Sequence, residues 1–443
     1  MQMSFADFIL QHEADDPVGL LLARDRYPDI DLDLAVTTLE VRRRLKTKVP
    51  EWYAVPSLVY PSRLSGEQCS SSETARYKAL LVSVLWREGV PPQTVAPRPL
   101  PPQAAGPSLL CGRGWPQVSD GTPSRLRVAD LTGGMGVDTW AFAQVAGAVL
   151  YNEMQDGLAR ATEQNFRELG VKNVAFRSCM VEAGKVAEVL DGFRPDVIYL
   201  DPARRAGDGR KVFLIEECQP DVLGLLPELF AASRFVLLKL SPMADITMAC
   251  KRLGEHVKEV HVVASGGECK ELLFLLDREW SGGYSLTAYE NGHTLSWTPE
   301  EEASAPPVFP ESPALSGVLF EPGKALLKAG AFNLPCERFG LTKMGQHTHL
   351  YAGESVPDGL RPFGKVFDIL EVMPLGNRTM KEAGKRWPQA EVTARNVPMT
   401  SDLLRRKLGC ASGGDIHLFG VRIDAASGSG NYLIVTKKRY GTD

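Results

Sequence analysis

The sequence lacks several features that would place the chain outside the ordinary globular class. Its eight cysteines never lie within three positions of one another, so the close pairing typical of zinc sites is missing. No apolar run reaches the roughly 18 residues that a membrane-spanning helix needs. The N-terminus has no basic stretch followed by an apolar core, as a signal peptide would. We therefore expect free thiols, no metal, no membrane association and a cytoplasmic location.

Charge of one sign is not in excess either. The 50 basic and 54 acidic residues give a net charge of −4, which excludes a protein coated in positive charge. The total hides an asymmetry, because residues 314–443 hold 18 Lys+Arg against 12 Asp+Glu, a net +6, and the other 313 residues carry −10. The length of 443 residues with 44% apolar content predicts two to four folded domains.

Composition shifts divide the chain into five parts. Apolar residues at helical spacing predict a helical N-terminal domain over 1–90. Nine prolines interrupt residues 91–123, which predicts a loop or linker. Residues 124–298 alternate between strand and helix patterns, 299–313 form a second breaker-rich linker, and 314–443 are mixed α/β. No internal repeat is present.

The alternating part predicts a specific sheet. Strand–helix alternation is typical of a parallel sheet covered on both faces. The last two β-rich runs are joined by only a short segment, which suits an antiparallel hairpin. The predicted strands are 126–131, 148–152, 174–177, 197–200, 235–239, 259–264 and 272–276.

A glycine-rich turn follows the first of these strands. It reads Asp130-Leu131-Thr132-Gly133-Gly134-Met135-Gly136 and leads into a helix. Glycines allow positive φ and let a ligand lie against bare backbone, and a helix N-terminus offers free N–H groups to an anion. Glu153 closes the next strand, where a carboxylate can accept both hydroxyls of an adenosine ribose. The alternatives are a plain tight turn and a solvated strand end.

Two observations separate the nucleotide cofactors that such a turn can bind. The dinucleotide fingerprint needs a small residue where Thr139 stands, which disfavours an NAD-dependent oxidoreductase. The fourth strand is followed by Asp201-Pro202-Ala203-Arg204-Arg205, at the carboxyl edge where open α/β sheets bind ligands. A solvated β-turn is the alternative for this segment.

These residues resemble the class I S-adenosylmethionine-dependent methyltransferases over about 126–276. The similarity is greatest to a bacterial group with a THUMP-like C-terminal domain. The resemblance implies an α/β fold with a Rossmann-like sheet of seven strands, the last antiparallel, between a helical N-terminal domain and an α+β C-terminal domain. The supporting segments are Gln68-Cys69-Ser70-Ser71, Asp201-Pro202-Ala203-Arg204-Arg205, Lys239-Leu240-Ser241-Pro242-Met243, Gly267-Glu268-Cys269-Lys270-Glu271 and Arg395-Asn396-Val397-Pro398-Met399.

The resemblance implies S-adenosyl-L-methionine as cofactor and assigns roles to matching positions. Glu153 would hold the ribose. The family's usual acid for the adenine amine is not evident after the third strand, where Ser178 and Cys179 stand. The methionine end of the cofactor would be held by Asp130, Thr132, Gly133, Gly134 and Gly136.

The catalytic residues predicted for methyl transfer are Asp201, Pro202, Arg204 and Lys239. The sulfonium is already activated, so the enzyme mainly aligns the target, and a ring nitrogen or amine needs only an acceptor such as Asp201. Ala203 and Arg204 stand where enzymes acting on exocyclic amines have proline and an aromatic, which favours a ring position. Carbon-5 chemistry would need Cys269 as nucleophile. A structural thiol and ordinary ion-paired cations are the alternatives for Cys269 and the basic residues.

A basic, aromatic-containing stretch marks the C-terminal region. Basic side chains supply phosphate affinity and Trp387 can stack on a base, whereas a solvated helix face is the alternative. His347 and His349 have no nearby carboxylate or cysteine, so they are a weak metal site. The predicted RNA-binding residues are Arg205, Arg378, Lys381, Lys385, Arg386, Arg395, Arg405, Arg406 and Lys407.

The sequence therefore predicts a methyltransferase that modifies a base of structured RNA, either tRNA or rRNA, with the C-terminal domain docking the RNA. The alternative from another class is a non-catalytic RNA-binding or assembly protein that retains the methyltransferase fold.

Overall fold

A computed structural model describes residues 3–89, 126–204 and 215–439. These residues fall into two compact units, the first formed by 3–89, 126–204, 215–258 and 272–282 and the second by 259–271 and 283–439. The proline-rich stretch predicted as a loop over 91–123 lies outside the described residues, as does Arg205. Within the described ranges, no helix is long and apolar enough to cross a membrane.

The N-terminal region is helical, as predicted. Its longest helices start at polar caps, since the Asp31 carboxylate accepts a hydrogen bond from Leu34 N and the Ser71 hydroxyl accepts one from Thr74 N. Their apolar faces pack around buried side chains such as Trp52. The helices are α1 (Phe5–Gln11), α2 (Pro17–Leu22), α3 (Leu32–Lys48), α4 (Pro50–Tyr53), α5 (Arg63–Gln68) and α6 (Ser72–Gly89), with a 3-10 turn at Arg24–Arg26.

Strands and helices alternate after this region. The strands are nearly all buried and apolar, as expected for a sheet covered on both faces. The elements are β1 (Arg127–Asp130), α7 (Val137–Ala143), β2 (Ala148–Asn152), α8 (Asp156–Glu168), β3 (Val174–Arg177), α9 (Val186–Leu190), β4 (Val197–Leu200), β5 (Ala203–Arg204), a 3-10 turn (Ile215–Glu217), β6 (Cys218–Gln219), α10 (Val222–Ala232), β7 (Phe235–Leu240), α11 (Ile246–Leu253), β8 (Val257–Ser265), β9 (Glu268–Asp277), β10 (Ser285–Glu290), β11 (His293–Trp297) and α12 (Pro299–Ser304).

The sheet contains the seven strands predicted from the sequence, and two more. The strand order is β11-β10-β8-β9-β7-β4-β1-β2-β3. Strands β3, β2, β1, β4 and β7 are parallel, and β9 runs antiparallel to β7, which confirms the predicted hairpin strand. The additional β10 and β11 form a hairpin through Asn291 and Gly292, both at positive φ. An Asn-Gly pair is the strongest short signal for such a turn, so the sequence contained this information.

The C-terminal residues form an α+β layer, also as predicted. Its seven strands follow the order β13-β14-β12-β15-β18-β17-β16, in which only β16 and β17 are parallel. Met380, Ala383, Leu404 and Leu408 of two helices pack against this sheet. The elements are β12 (Val318–Pro322), α13 (Lys324–Ala329), α14 (Leu334–Glu337), β13 (Thr342–Gly345), β14 (Thr348–Gly353), a 3-10 turn (Arg361–Phe363), β15 (Gly364–Pro374), α15 (Asn377–Arg386), β16 (Glu391–Arg395), α16 (Ser401–Leu408), β17 (Ile416–Ala425) and β18 (Gly428–Lys438).

Candidate functional site

A cavity of about 290 Å³ opens at the carboxyl ends of β1, β2 and β4. Because these strands are parallel, their ends meet at one edge, where open α/β sheets bind ligands. The cavity brings together Asp201 and most of the residues predicted to bind a cofactor. These lining residues are Asp130, Thr132, Gly133, Gly134, Gly136, Glu153, Cys179 and Asp201.

The three glycines of the turn after β1 are each required for a different physical reason. A Cβ on Gly133 would lie 2.2 Å from the Tyr151 ring, so any side chain there collides with a buried aromatic. Gly136 combines a φ of 85° with a Cβ position 2.7 Å from Thr162. Gly134 also has positive φ, but a Cβ there would meet open space. The turn therefore presents bare backbone to the cavity, which leaves room for a ligand.

Asp130 is an almost fully buried carboxylate at the end of β1. It accepts hydrogen bonds from the Thr139 hydroxyl at 2.6 Å and from Thr132 N at 3.1 Å. Burial raises the pKa of Asp130 to about 7, against the opposing effect of the Thr139 hydrogen bond. Thr139, read from the sequence only as a departure from the dinucleotide pattern, thus holds the central acid of the site.

Glu153 lies at the tip of β2 with its carboxylate fixed. One oxygen accepts Gly134 N at 3.0 Å and the other accepts Gln155 N at 2.9 Å. A carboxylate has about four lone-pair positions, so two remain for a ligand. This fits a group with two neighbouring hydroxyls.

Asn152, which the sequence analysis missed, joins the ends of three strands. Its amide donates to the Leu131 and Cys179 carbonyls, and its carbonyl accepts Cys179 N at 3.0 Å. Both backbone groups of Cys179 are therefore used in holding this wall of the cavity. An amide at a strand end has no distinctive sequence signal, because asparagine also terminates ordinary strands.

The end of the cavity near Cys179 is apolar. Met154 and Met180 both line it, although about half of each side chain is exposed, at 52% and 44%. Two exposed thioethers suit the faces of a flat ring. Ser178 was predicted beside Cys179, but the described residues that line the cavity do not include it.

Asp201 is held from two directions. Its backbone N donates to the Thr132 hydroxyl at 2.6 Å, and its carboxylate pairs with Lys239 Nζ at 2.5 Å. Lys239 is 13% exposed and is not among the described residues that line the cavity. It therefore holds the Asp201 carboxylate by an ion pair without facing the cavity.

The turn after Asp201 is fixed by a short ladder. Ala203 pairs with Gln219 and Arg204 with Cys218, so β5 and β6 form a two-stranded sheet. This places Gln219 and Ala203 together on the cavity wall. Pro202 is buried and the Arg204 backbone lies in β5. Sequence alone does not reveal a pairing of only two residues across such a gap.

One wall of the cavity comes from the N-terminal helical region, which the sequence analysis did not assign to the site. Ser65, Gln68, Cys69 and Ser70, at the end of α5 and before α6, all line it. Cys69 donates its thiol hydrogen to the Gly66 carbonyl, and burial raises the pKa of this thiol. Gln68 has an exposed side chain.

The weaker candidates from the sequence gain no support. Burial raises the pKa of Cys269 to about 11, and a thiol that stays protonated is a poor nucleophile. His349 stacks on Phe332 at 4.0 Å, and burial lowers its pKa to about 4. In the part of the chain that the structure describes, no group of three His, Cys, Asp or Glu side chains is arranged to hold a metal.

The predicted RNA-binding residues lie on two packed helices and one strand end. Arg378, Lys381, Lys385 and Arg386 are on α15, Arg405, Arg406 and Lys407 are on α16, and Arg395 ends β16. Four of them pair with acids within this layer: Arg378 with Glu382, Arg386 with Glu371, Arg395 with Glu321 and Arg405 with Asp402.

The other four cations on these helices are exposed. The structure gives Lys381, Lys385, Arg406 and Lys407 no ion pair among the residues it describes. Trp387 packs against the helix core, with Arg386 lying 4.4 Å over its ring, so one face is already covered.

Comparison with known proteins finds similarity in the C-terminal region and over the full length of the chain. A family model described as a ferredoxin-like domain matches residues 319–359, and one described as THUMP domain-like matches 364–438. The chain is also similar to the crystal structure of a proposed methyltransferase from Porphyromonas gingivalis W83. The two share 29% identity with a TM-score of 0.78, over 99% of this chain and 98% of that chain. Among curated proteins, none matches this chain.

Two further solved structures overlap with part of the chain. One is the 16S rRNA N2 G1207 methyltransferase of T. thermophilus in complex with AdoMet and guanosine, at 16% identity and TM-score 0.27, covering 35% of this chain and 38% of that chain. The other is an rRNA methylase from Streptococcus thermophilus, at 16% identity and TM-score 0.24, covering 34% and 87%. Matches of this size carry no argument about the present chain.

The sheet order, the glycine turn and the similarity over the full length define the class. This chain has the class I S-adenosylmethionine-dependent methyltransferase fold. Residues 364–438 match a THUMP domain-like model, so the chain combines that fold with a THUMP-like C-terminal region.

Proposed function

We propose that the chain transfers a methyl group from S-adenosylmethionine to a base of structured RNA. The observation that carries the proposal is the convergence of Asp130, the glycine turn, Glu153 and Asp201 on one cavity of about 290 Å³. Bound there, S-adenosylmethionine would supply a methyl group on a positively charged sulfur.

The cavity residues divide the work of holding the cofactor. Asp130, Thr132, Gly133, Gly134 and Gly136 present a buried carboxylate and bare backbone to the methionine end. Glu153 has two lone-pair positions left for the ribose hydroxyls. Met154, Met180 and the chain at Cys179 form the slot for the adenine ring.

Asp201 is the proposed acceptor for the target base. Thr132 and Lys239 fix its backbone and one carboxylate oxygen, so the other oxygen can take a hydrogen bond or a proton from a ring N–H as the methyl bond forms. A preset acceptor aligns the nitrogen with the methyl group, which is the main requirement of this reaction. Pro202 and Arg204 complete the turn that carries this group.

RNA recognition is proposed for the C-terminal layer. The match to a THUMP domain-like model covers α15, β16 and α16, which carry the basic residues. The unpaired cations Lys381, Lys385, Arg406 and Lys407 would contact phosphates, since an exposed lysine or arginine releases counterions on binding RNA. The proposal includes tRNA and rRNA as targets.

The test is to incubate the protein with labelled S-adenosylmethionine and total RNA, where the RNA comes from cells that lack this protein. We expect label in RNA, and nucleoside identification of size-separated tRNA and rRNA then gives the species and the atom. The Glu153→Ala variant should lose most of the incorporation, because it loses the ribose contact. Binding of RNA without any heat from S-adenosylmethionine would instead favour a non-catalytic RNA-binding or assembly protein.

A further inference from the structure

Helix α6 contains a lysine that no solvent reaches. Lys78 is 0% exposed, and its Nζ lies 3.1 Å from Asp138 Oδ1 and 2.9 Å from Ser70 Oγ. An ammonium group is costly to bury unless it is paired and hydrogen-bonded. The pairing joins the N-terminal helical region to the first turn of α7, where Asp138 itself lines the cavity.

Asp138 serves as the junction of this network. Lys78 approaches one carboxylate oxygen, while the other accepts hydrogen bonds from the Ser70 hydroxyl at 2.9 Å and the Tyr199 hydroxyl at 2.8 Å. Burial acts to raise the pKa of Asp138, but Lys78 and Lys239 outweigh it and hold the pKa below its usual value. The carboxylate thus ties these protein groups together at the cavity wall.

Ser70 transmits this arrangement to the cavity wall. Its hydroxyl accepts from Lys78 and donates to Asp138, so the end of the 65–70 segment is fixed by two charged partners. Gln68 and Cys69 immediately precede it and line the cavity. A change at Ser70 should therefore shift Gln68 and Cys69 on the cavity wall.

We infer that the N-terminal helical region is a working wall of the cofactor cavity, and that Lys78 is a positioning residue which acts through Asp138 and Ser70 to hold Gln68 and Cys69 against the cofactor. The inference rests on the proposed binding of S-adenosylmethionine. Stability alone does not account for the pair, because replacing a buried ion pair with apolar groups is often neutral or stabilising.

Alkylation of cysteines tests the wall directly. Cys69 and Cys179 both line the cavity but come from different regions of the chain, whereas Cys336 and Cys410 are buried in the C-terminal unit. The full-length protein is treated with N-ethylmaleimide, with and without S-adenosylhomocysteine, and each cysteine is followed by peptide mass spectrometry. We expect the ligand to slow alkylation of Cys69 and Cys179 by at least about fivefold and to leave Cys336 and Cys410 unchanged.

The outcomes separate this inference from the proposed function. Protection of both Cys69 and Cys179 supports the wall. Protection of Cys179 alone overturns it, while cofactor binding still stands. If neither is protected and calorimetry shows no heat with S-adenosylhomocysteine, the cofactor proposal and the wall both fail.

The role of Lys78 is tested by replacing the ion pair with a neutral pair. The Lys78→Met/Asp138→Asn variant removes both charges, so no unpaired charge is buried, and its melting temperature should stay within a few degrees of wild type. We expect S-adenosylhomocysteine to bind about tenfold more weakly, with protection lost at Cys69 and kept at Cys179 under saturating ligand. The matched control is Arg76→Met, which removes another cation of α6 and its pair with Glu51 of α4, and it should change neither readout.

Ser70→Ala provides a second variant that keeps both charges paired. It should weaken S-adenosylhomocysteine binding about threefold to fivefold and speed alkylation of Cys69, because the hydrogen bonds of the Ser70 hydroxyl to Lys78 and Asp138 are both lost. The inference about Lys78 is overturned if this variant and the neutral pair both bind the ligand within about twofold of wild type and protect Cys69 equally well. If the neutral pair does not fold, the Ser70→Ala result alone decides.

Discussion

Charged groups behave differently in two regions of this molecule. At the cavity, Asp130, Asp138, Lys78 and Lys239 are buried or nearly so, and each has a fixed partner. On α15 and α16 most of the cations are exposed, and four of the nine predicted RNA-binding residues are paired with acids.

The difference distinguishes a site with one fixed geometry from a surface on which many weak charges act together. Burying a charge costs desolvation free energy, so a buried charge is tolerated only in one well-paired geometry. An exposed charge contributes little free energy by itself, so its effect depends on how many such charges act together. We therefore expect single changes at the cavity to have large effects and single changes on the helices to have small, graded ones.

The largest effect is expected at Asp201. Asp201→Ala should lower kcat for RNA methylation by about 100-fold, because it removes the acceptor for the target, and leave the Kd for S-adenosylhomocysteine within about twofold. Steady-state assays and calorimetry measure the two quantities. Asp245→Ala is the matched control, since Asp245 only caps α11 and should cost about 1 kcal/mol of stability without affecting kcat. Unchanged turnover in Asp201→Ala would remove the acceptor role.

The glycine turn comes next. Gly133→Ala places a Cβ 2.2 Å from the Tyr151 ring, so we expect ~1–3 kcal/mol lower unfolding free energy from overpacking, with weaker S-adenosylhomocysteine binding. Gly134→Ala meets open space and bears only the cost of its positive φ, about 1 kcal/mol. Urea unfolding of both variants gives the comparison. Equal losses would show that collision with Tyr151 does not control the turn.

The third effect is a pH dependence at Asp130. Its folded pKa of about 7 lies above the value near 4 of an unfolded aspartate, so the folded state holds a proton that the unfolded state lacks between these values. The contribution of Asp130 to stability therefore falls as pH rises from about 4 to about 7, and is constant above.

Cofactor binding should show the opposite trend with pH. The positively charged cofactor favours the ionised carboxylate, so its affinity should rise about tenfold between pH 5.5 and 7. Calorimetry with S-adenosylmethionine across this range checks the rise, and Asp130→Asn should abolish it. A rise that persists in Asp130→Asn would assign the titration to another group.

The smallest effects are expected on α15 and α16. Lys381→Ala or Lys407→Ala should weaken RNA binding about twofold to fivefold and reduce the salt dependence by about one counterion each. Arg378→Ala should do less, because Arg378 already pairs with Glu382. Filter binding at several salt concentrations measures these slopes. A tenfold loss from one lysine would place a specific contact there and break the contrast with the cavity.

The sequence predicted the parts of the cavity whose residues are close together in the chain. Asp130, the glycines and Glu153 all follow strand ends, and parallel strands necessarily bring their carboxyl ends to one edge. The strands were recognisable because burial on both faces produces a continuous apolar run. The antiparallel direction of β9 was predicted from the short segment that joins it to β8.

The parts that were missed depend on contacts between distant segments. Lys78 lies in an amphipathic helix, where a lysine ordinarily faces solvent, and only the fold brings it to Asp138. Asn152 and Gln219 are common residue types whose roles come from the backbone groups beside them. Ser178 stays a prediction, since it is adjacent to Cys179 in sequence but is not among the described residues that line the cavity.

The Lys78–Asp138 pair also bears on how modular this molecule is. The boundary drawn from sequence, between 1–90 and 124–298, separates the two partners. A methyltransferase domain cut at that boundary would bury an aspartate without its lysine and would lose Ser70 with the rest of the wall. The helical region and the sheet therefore form one structural unit, because neither keeps this ion pair without the other.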